Sequence, residues 1–343
     1  MFKKIFALVL CLALLALSGC SKADNTSSAV ESVPEVIVEE EKFVINPLTG
    51  VEDLDPAKEN VRPVAVMVNN VKVAQKVQTG PAAADIVYET EVEGGITRLM
   101  AVYKDVTKVQ QIGSIRSARY PYVDLALGHN AVYIHSGADP TYCAPHLKDI
   151  DHVSIDSGIC GAKRVPNGLS REHTVYAYGN TLWSGIEGAF KQTTQTDNSP
   201  WASFTAEGET VTPTAGAANS VSVPFPAHTT GFTYSADSGL YTRLSGGTVV
   251  TDYITNEATE VKNVFILLTS ITDYPDGKHR KVDLTGGDGY YITNGAYTFI
   301  KWSKGNGSDS FKFTDTDGNP LKVNAGSSWV CIPNKFTCNP TFQ

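Results

Sequence analysis

The spacing of apolar and polar positions changes several times along this 343-residue chain. The run RPVAVMVNN (62–70) is continuously apolar until two asparagines, which predicts a short buried strand ending in a turn. ADIVYETEVEGGITRLMAVYKD (84–105) alternates on both sides of Gly94-Gly95 and predicts a hairpin with those glycines as a two-residue loop. In that register Glu91 faces Arg98, Glu89 faces Met100, Val87 faces Val102, and Glu89, Glu91 and Glu93 share one face. YPYVDLAL (120–127) predicts a helix with Pro121 in its first turn and Ser117 as its cap. NAVYIHSG (130–137) reads as a strand with a polar end, and ADPTYCAPHLKD (138–149) and YGNTLWSGIEGAFKQ (178–192) read as helices. From about residue 219, short strands recur between Gly, Asn and Asp turns. The expected fold is a mixed, α+β one: an N-terminal α/β domain at 46–200, then a smaller, mainly antiparallel β domain at 215–343. The intervening AEGETVTPTAGAANS (206–220) reads as a linker or long loop.

The first twenty residues follow a different pattern. MFKKIFALVLCLALLALSGC has two lysines, an apolar run and small residues, the layout of an export signal at 1–20. The run Ile5 to Leu17 is shorter than the roughly 20 residues that span a bilayer. Leu17-Ser18-Gly19-Cys20 resembles a bacterial lipobox, which implies cleavage before Cys20 and a diacylglyceryl group on its sulfur. Residues 21–45 are Ser-rich and acidic and read as a disordered tether. The expected location is the extracytoplasmic face of the cell membrane, with the lipid on Cys20 as the membrane contact.

Net charge is −8, and without Lys3 and Lys4 the chain keeps 26 basic residues against 36 acidic ones. Such a balance argues against a nucleic-acid partner, which needs a basic face. Four cysteines follow Cys20: Cys143, Cys160, Cys331 and Cys338. An exported protein permits disulfides 143–160 and 331–338, with free thiols as the other possibility for each pair. Cys143, His146, His152 and Cys160 offer a rival zinc set, but C-x2-H-x5-H-x7-C is not a familiar zinc spacing, and no metal site is assigned.

Candidate chemistry concentrates in GSIRSARYP (113–121), where Arg116 and Arg119 stand three apart between small residues. Guanidinium forks take phosphate or carboxylate in pairs, and Arg98 is a third candidate. His135 ends a predicted strand near Ser136 and Asp139, and SREHTVY adds Arg171 and His173. In α/β sheets such strand ends border the ligand crevice. Two accounts stand: the arginines bind an anionic ligand while Glu89, Glu91 and Glu93 orient them, or the same residues form a structural ion network. His135 and Glu89 are also weak candidates for a general base, with Arg116 and Arg119 stabilising developing charge. No nucleophile, P-loop, dinucleotide or other cofactor motif is present. DTDGN (315–319) begins like a calcium loop but has Gly326 at position 12, and reads as a turn. Tyr290, Tyr291, Tyr297, Phe299 and Trp302 read as sheet packing rather than a sugar platform.

NPLTG (46–50), RPVAVMVNN, ADIVYETEVEGGITRLMAVY, IGSIRSARYPYVDLAL, AVYIHSG and GYYITNGAYTFIKWSK together resemble the YerB-like lipoproteins, most strongly over 62–137. The resemblance implies a lipid-anchored, two-domain envelope protein and no particular reaction. Arg98, Arg116, Arg119, Glu89, Glu93, His135 and His173 fit the family pattern. Asn69 stands where relatives carry Asp, which weakens any metal or acid–base role there; Ser114, HSGAD and EHTVY also depart from it. The expected function is binding of an anionic cell-wall ligand or envelope protein. A cell-envelope hydrolase or phosphoryl transferase, and an assembly factor without ligand, are the alternatives.

Overall fold

The computed structural model describes residues 42–155, 159–305 and 307–343. The expected signal, Cys20 and residues 21–41 of the tether lie outside the described residues. The end of that tether is corrected: the apolar Val44–Ile45 pair antiparallel with Glu52–Leu54. Among the described residues no helix is long and apolar enough to cross a membrane.

In chain order the first half supplies strands β1 (Val64–Asn69), β2 (Ile86–Glu91) and β3 (Thr97–Tyr103), helix α1 (Tyr120–Leu127), strands β4 (Val132–His135) and β5 (His152–Ser154), and helix α2 (Gly179–Ala189). Every residue of β1, β2 and β3 is buried, as expected of strands covered on both faces. The 138–149 segment forms 3-10 turns at Ala144–Asp149 instead of an α-helix, because Pro145 and the Asp139 side chain, which accepts from Tyr142 and Cys143 N–H, set a tight turn. Arg119, not Ser117, occupies the N-cap of α1 and makes no side-chain cap bond.

The second half supplies β6 (Ser220–Phe225), β7 (His228–Ser235), β8 (Leu240–Ser245), β9 (Asn263–Leu267), β10 (Ile271–Asp273), β11 (Arg280–Val282), β12 (Gly286–Thr293), β13 (Ala296–Ser303) and β14 (Ser328–Ile332). One 11-stranded sheet draws on both halves: Gly216–Ala217, β13, β12, β9, β14, β2, β3, β1, β4 and β5 in spatial order, with Lys312–Thr314 alongside β13. β14 lies between β9 and β2, parallel to both. β6, β7 and β8 belong to a separate antiparallel sheet of six strands. β10 and β11 pair only with each other as a two-stranded ribbon. Residues Phe43–Gln343 form one compact unit.

The sheet divides the apolar interior in two. Val64, Val66, Val68, Val87 and Leu99 face α2 and the six-stranded sheet, packing with Trp183, Ile186, Phe232 and Trp329. Ala65, Met67, Tyr88, Met100 and Val102 face α1, packing with Tyr122, Leu125, Trp201 and Phe265. This division overturns the 143–160 pairing and the zinc alternative: Cys143 lies in the α1-side core and Cys160 in the α2-side core. Cys331 and Cys338 are also free thiols, against the expected disulfide. Burial pushes the Cys143 and Cys338 thiols up to about 12, and a protonated thiol is a poor nucleophile for exchange. Of the aromatic series, Tyr291 and Trp302 are buried, whereas Tyr290, Tyr297 and Phe299 cluster with Phe342, Phe299 remaining 48% exposed.

Candidate functional site

Strands β1, β2, β4, β5, β9 and β14 run in one direction, so Asn69, Glu91, His135, Ser154, Leu267 and Ile332 end at the same edge of the large sheet. Arg98, near the start of antiparallel β3, joins them. This is the edge at which open α/β sheets hold ligands.

The β2–β3 hairpin has a different register from the one its glycines suggest. Val92 N–H donates to Ile96 O (2.8 Å), closing a three-residue loop, Glu93-Gly94-Gly95. Glu89 therefore faces Leu99 and Glu91 faces Thr97, while Arg98 pairs with Thr90. The one-residue shift puts Arg98 on the face opposite Glu89. Both loop glycines have left-handed φ, +67° and +72°, and a Cβ on Gly95 would approach Pro226 to 2.9 Å. Glu93 sits in the loop and leaves the expected Glu89–Glu91–Glu93 face, while Glu89 and Glu91 remain two apart on β2, and each carboxylate has its own partners.

Glu93 takes two arginines. Arg98 Nη2 donates to its Oε1 (2.7 Å), Arg119 Nε donates to its Oε2 (2.7 Å), and Arg119 Nη2 also contacts Oε1. Arg98 Nη1 and Arg119 Nη1 are held by the carbonyls of Ser117 and Ala118. Burial works to raise the Glu93 pKa, but the Arg119 hydrogen bond and the charges of Arg98 and Arg119 overcome it and hold the carboxyl at about 2. Burial pulls Arg98 down to about 10, repulsion from Arg119 and Arg116 acts in the same direction, and the attraction of Glu93 opposes it. Arg116 meets Glu172 (3.1 Å) at the exposed edge, and Asn69 Nδ2 donates to His173 Nδ1 (2.8 Å) beside that pair.

The other sequence candidates lie elsewhere. His135 is 1% exposed; its Nδ1 lies 2.8 Å from Gly137 O and its Nε2 lies 2.9 Å from His152 Nδ1. Arg171 is exposed and lends its carbonyl to Arg164 and Thr174. Glu91 Oε2 lies 4.0 Å from Arg280 Nε. Glu89 is buried on the α2 side, where Asn70, Thr97, Thr230 and Trp329 all donate to it and His228 Nε2 lies 2.9 Å away. Arg243 stacks over Trp329, 4.5 Å from the ring centroid, and donates to Asn70 Oδ1 (2.8 Å).

A shallow recess with room for about one water molecule opens beside Arg119, between the start of α1 and the β10–β11 ribbon. The ribbon reaches the first half through Tyr274 stacked on Tyr142 (4.0 Å between centroids), His279 against Asp139 (3.3 Å) and Arg280 near Glu91.

Residues 48–193 match the family described as Protein of unknown function (DUF3048) N-terminal domain, and residues 221–330 match its C-terminal domain. The chain belongs to the DUF3048 family. It is 26% identical over 331 residues to the Bacillus subtilis (strain 168) protein named "Putative lipoprotein YerB", over 94% of this chain and 93% of that protein. The crystal structure of YerB protein from Bacillus subtilis matches with a TM-score of 0.72 at 26% identity, covering 86% of this chain and 98% of that one. The resemblance seen in the sequence motifs therefore holds. Within the DUF3048 framework, the Glu93 cluster lies in the N-terminal region, while its neighbours Tyr274, His279 and Arg280 come from the C-terminal region. The Glu89 network likewise joins the two regions through His228, Thr230 and Trp329.

One outcome follows from the Glu93 geometry. Its folded pKa lies below the ordinary value of 4.5, so the stabilisation it gives is complete above about pH 4.5 and is lost as pH falls toward about 2. Melting curves of wild type and Glu93→Gln should differ most at neutral pH and converge across that window. A constant difference down to pH 2 contradicts the pairing.

Proposed function

We propose that this protein is a lipid-anchored extracytoplasmic component of the bacterial cell envelope that binds an anionic envelope ligand at the Arg98–Arg116–Arg119 cluster. The Cys20 pattern and the name of the Bacillus relative, a putative lipoprotein, support the anchor. One observation carries the binding reading: a single carboxylate, Glu93, is shared by two guanidinium groups, Arg98 and Arg119, so the trio keeps one positive charge in excess. An incoming phosphate or carboxylate balances that charge through charge-assisted hydrogen bonds. The side chains of Arg116 and Arg119 are 21% and 14% exposed, so they are the contact groups. Arg98, at 3%, supports from beneath. Glu89, Glu91, His135 and Arg171 have no part in this contact. The geometry gives no support to Glu89 or His135 as a general base, since each is buried and already hydrogen-bonded.

The test is charge reversal. Arg116→Glu is expected to weaken binding of a poly(glycerol phosphate) probe by at least about ten-fold, the loss of one charged hydrogen bond. Its melting temperature should stay nearly that of wild type, because the Arg116–Glu172 pair is exposed. Unchanged probe binding, or a large fall in melting temperature with binding retained, overturns the reading in favour of a structural ion network.

A further inference from the structure

The β10–β11 ribbon has two faces. Arg280 lines the recess beside Arg119, whereas Thr272 and Lys281 are cross-strand partners and share the opposite face, because successive residues of a strand point to opposite sides. That second face borders an open groove of about 500 Å³. Tyr120 and Asp124 of α1 form its other wall, and Asp283, Leu284 and Thr285, just after the ribbon, complete it. The volume lies within the roughly 300–1,000 Å³ of sites that take small molecules. Like many such sites, the groove joins residues of two regions, here the N-terminal and C-terminal DUF3048 ones.

Its charged groups are oriented but set apart. Asp283 Oδ1 accepts from the Thr285 N–H (3.0 Å) and hydroxyl (2.7 Å), which fixes the carboxylate and leaves Oδ2 without a donor among the described residues. Lys281 acts on Asp283 only through space; no hydrogen bond or ion pair joins them among the described residues. The Tyr120 ring is held against His146, 4.1 Å between centroids. Leu284 and Val282 add buried apolar surface.

Fixed acceptors, a donor and an apolar surface match a ring that carries several hydroxyl groups. A hydroxyl donates to a carboxylate and accepts from an ammonium, so adjacent hydroxyls satisfy both kinds of group. The apolar face of the ring suits Tyr120 and Leu284. Asp124 and Asp283 stand against Lys281 and against Lys304, which acts on Asp124, so the groove is near charge balance and offers an anion no net attraction.

We propose that this groove binds one ring of an uncharged glycan, with Asp124, Asp283 and Lys281 on its hydroxyls and Tyr120 against its face. It is a second site, independent of the anion-binding reading.

Titration calorimetry on the full-length protein tests it with maltose and N,N′-diacetylchitobiose, and with alanyl-alanine and inorganic phosphate as comparison ligands. At least one disaccharide should bind saturably, and neither comparison ligand should displace it. Asp283→Asn and Lys281→Ala should each weaken that disaccharide about ten-fold, the loss of one charged hydrogen bond. Thr272→Trp, which places a large ring in the groove, should abolish binding. All three positions are exposed, so melting temperatures should stay near that of wild type, and binding of poly(glycerol phosphate) should not change. Failure of both disaccharides to bind, undiminished binding in the three variants, or displacement by alanyl-alanine overturns the glycan proposal and leaves the arginine reading standing. Joint loss of disaccharide and poly(glycerol phosphate) in the variants also overturns it, since the groove would then belong to the arginine site.

Discussion

Glu89→Ala is expected to destabilise the protein by about 3–5 kcal/mol, the usual cost of removing one partner from a buried charge network. For a chain of this size that corresponds to a fall in melting temperature on the order of 10 °C. Glu89 is wholly buried and accepts from Asn70, Thr97, Thr230 and Trp329, with His228 beside it. Removing the carboxylate orphans those donors in a low-dielectric interior and leaves the Arg243 guanidinium, itself fully buried, without its nearest counter-charge. Glu89→Gln should lose less, because the amide oxygen still accepts although the charge is gone. Urea unfolding of the three proteins measures the order wild type, Gln, Ala. Anion binding should survive in both variants, since Arg116 and Arg119 belong to the other face of the sheet. A loss under about 1 kcal/mol for Glu89→Ala would show that the network is not the clamp described.

The second large effect concerns β14. A chain ending before Ser328 should fail to form a cooperatively folded protein. β14 hydrogen-bonds to β9 on one side and β2 on the other, and Ser328–Ile332 is buried throughout. Deleting it opens two unpaired strand edges in the middle of the large sheet and removes Trp329 from the α2-side core. Loss of a buried Trp side chain alone typically costs about 3–5 kcal/mol. Near-ultraviolet circular dichroism and urea titration of the truncated chain should show no sharp transition, and the material should associate. A sharp transition of near-native midpoint would mean that the sheet closes without its inserted strand.

Much of this architecture was readable in local patterns, and the misreadings have definite causes. The continuous apolar run at 64–68 marks β1 as a strand covered on both faces, and Pro121 marks the first turn of α1. The mixed, mostly sheet character followed from such runs. Gly94-Gly95, however, suits both a two-residue and a three-residue loop, because both require left-handed residues; only the Val92–Ile96 bond decides, and with it the face on which Arg98 lies. The 143–160 pairing failed because nearness in sequence says nothing about which side of a sheet a residue occupies, whereas Cys331 and Cys338 share one core and are free thiols all the same.

The arginine cluster was legible as a concentration of charge in GSIRSARYP, but its sharing of Glu93 was not. Arg243 was hidden for another reason. In Leu240–Ser245 the leucines would be taken as the inward positions, yet Tyr241 and Arg243 are the buried ones. The buried Glu89 explains this choice, and that partner lies far away in the sequence. Arg280 and His228 follow turns and have no local signal; they matter through neighbours supplied by the other DUF3048 region.

The place of β14 also governs the order in which the molecule can be completed. A chain emerging from its amino end carries β1 to β5 early, but the sheet cannot be sealed until Ser328–Ile332 is available. Until then the facing edges of β9 and β2 stay unpaired, and a copy interrupted before Ser328 keeps them so. Its maturation is thus all-or-nothing in time as well as in space.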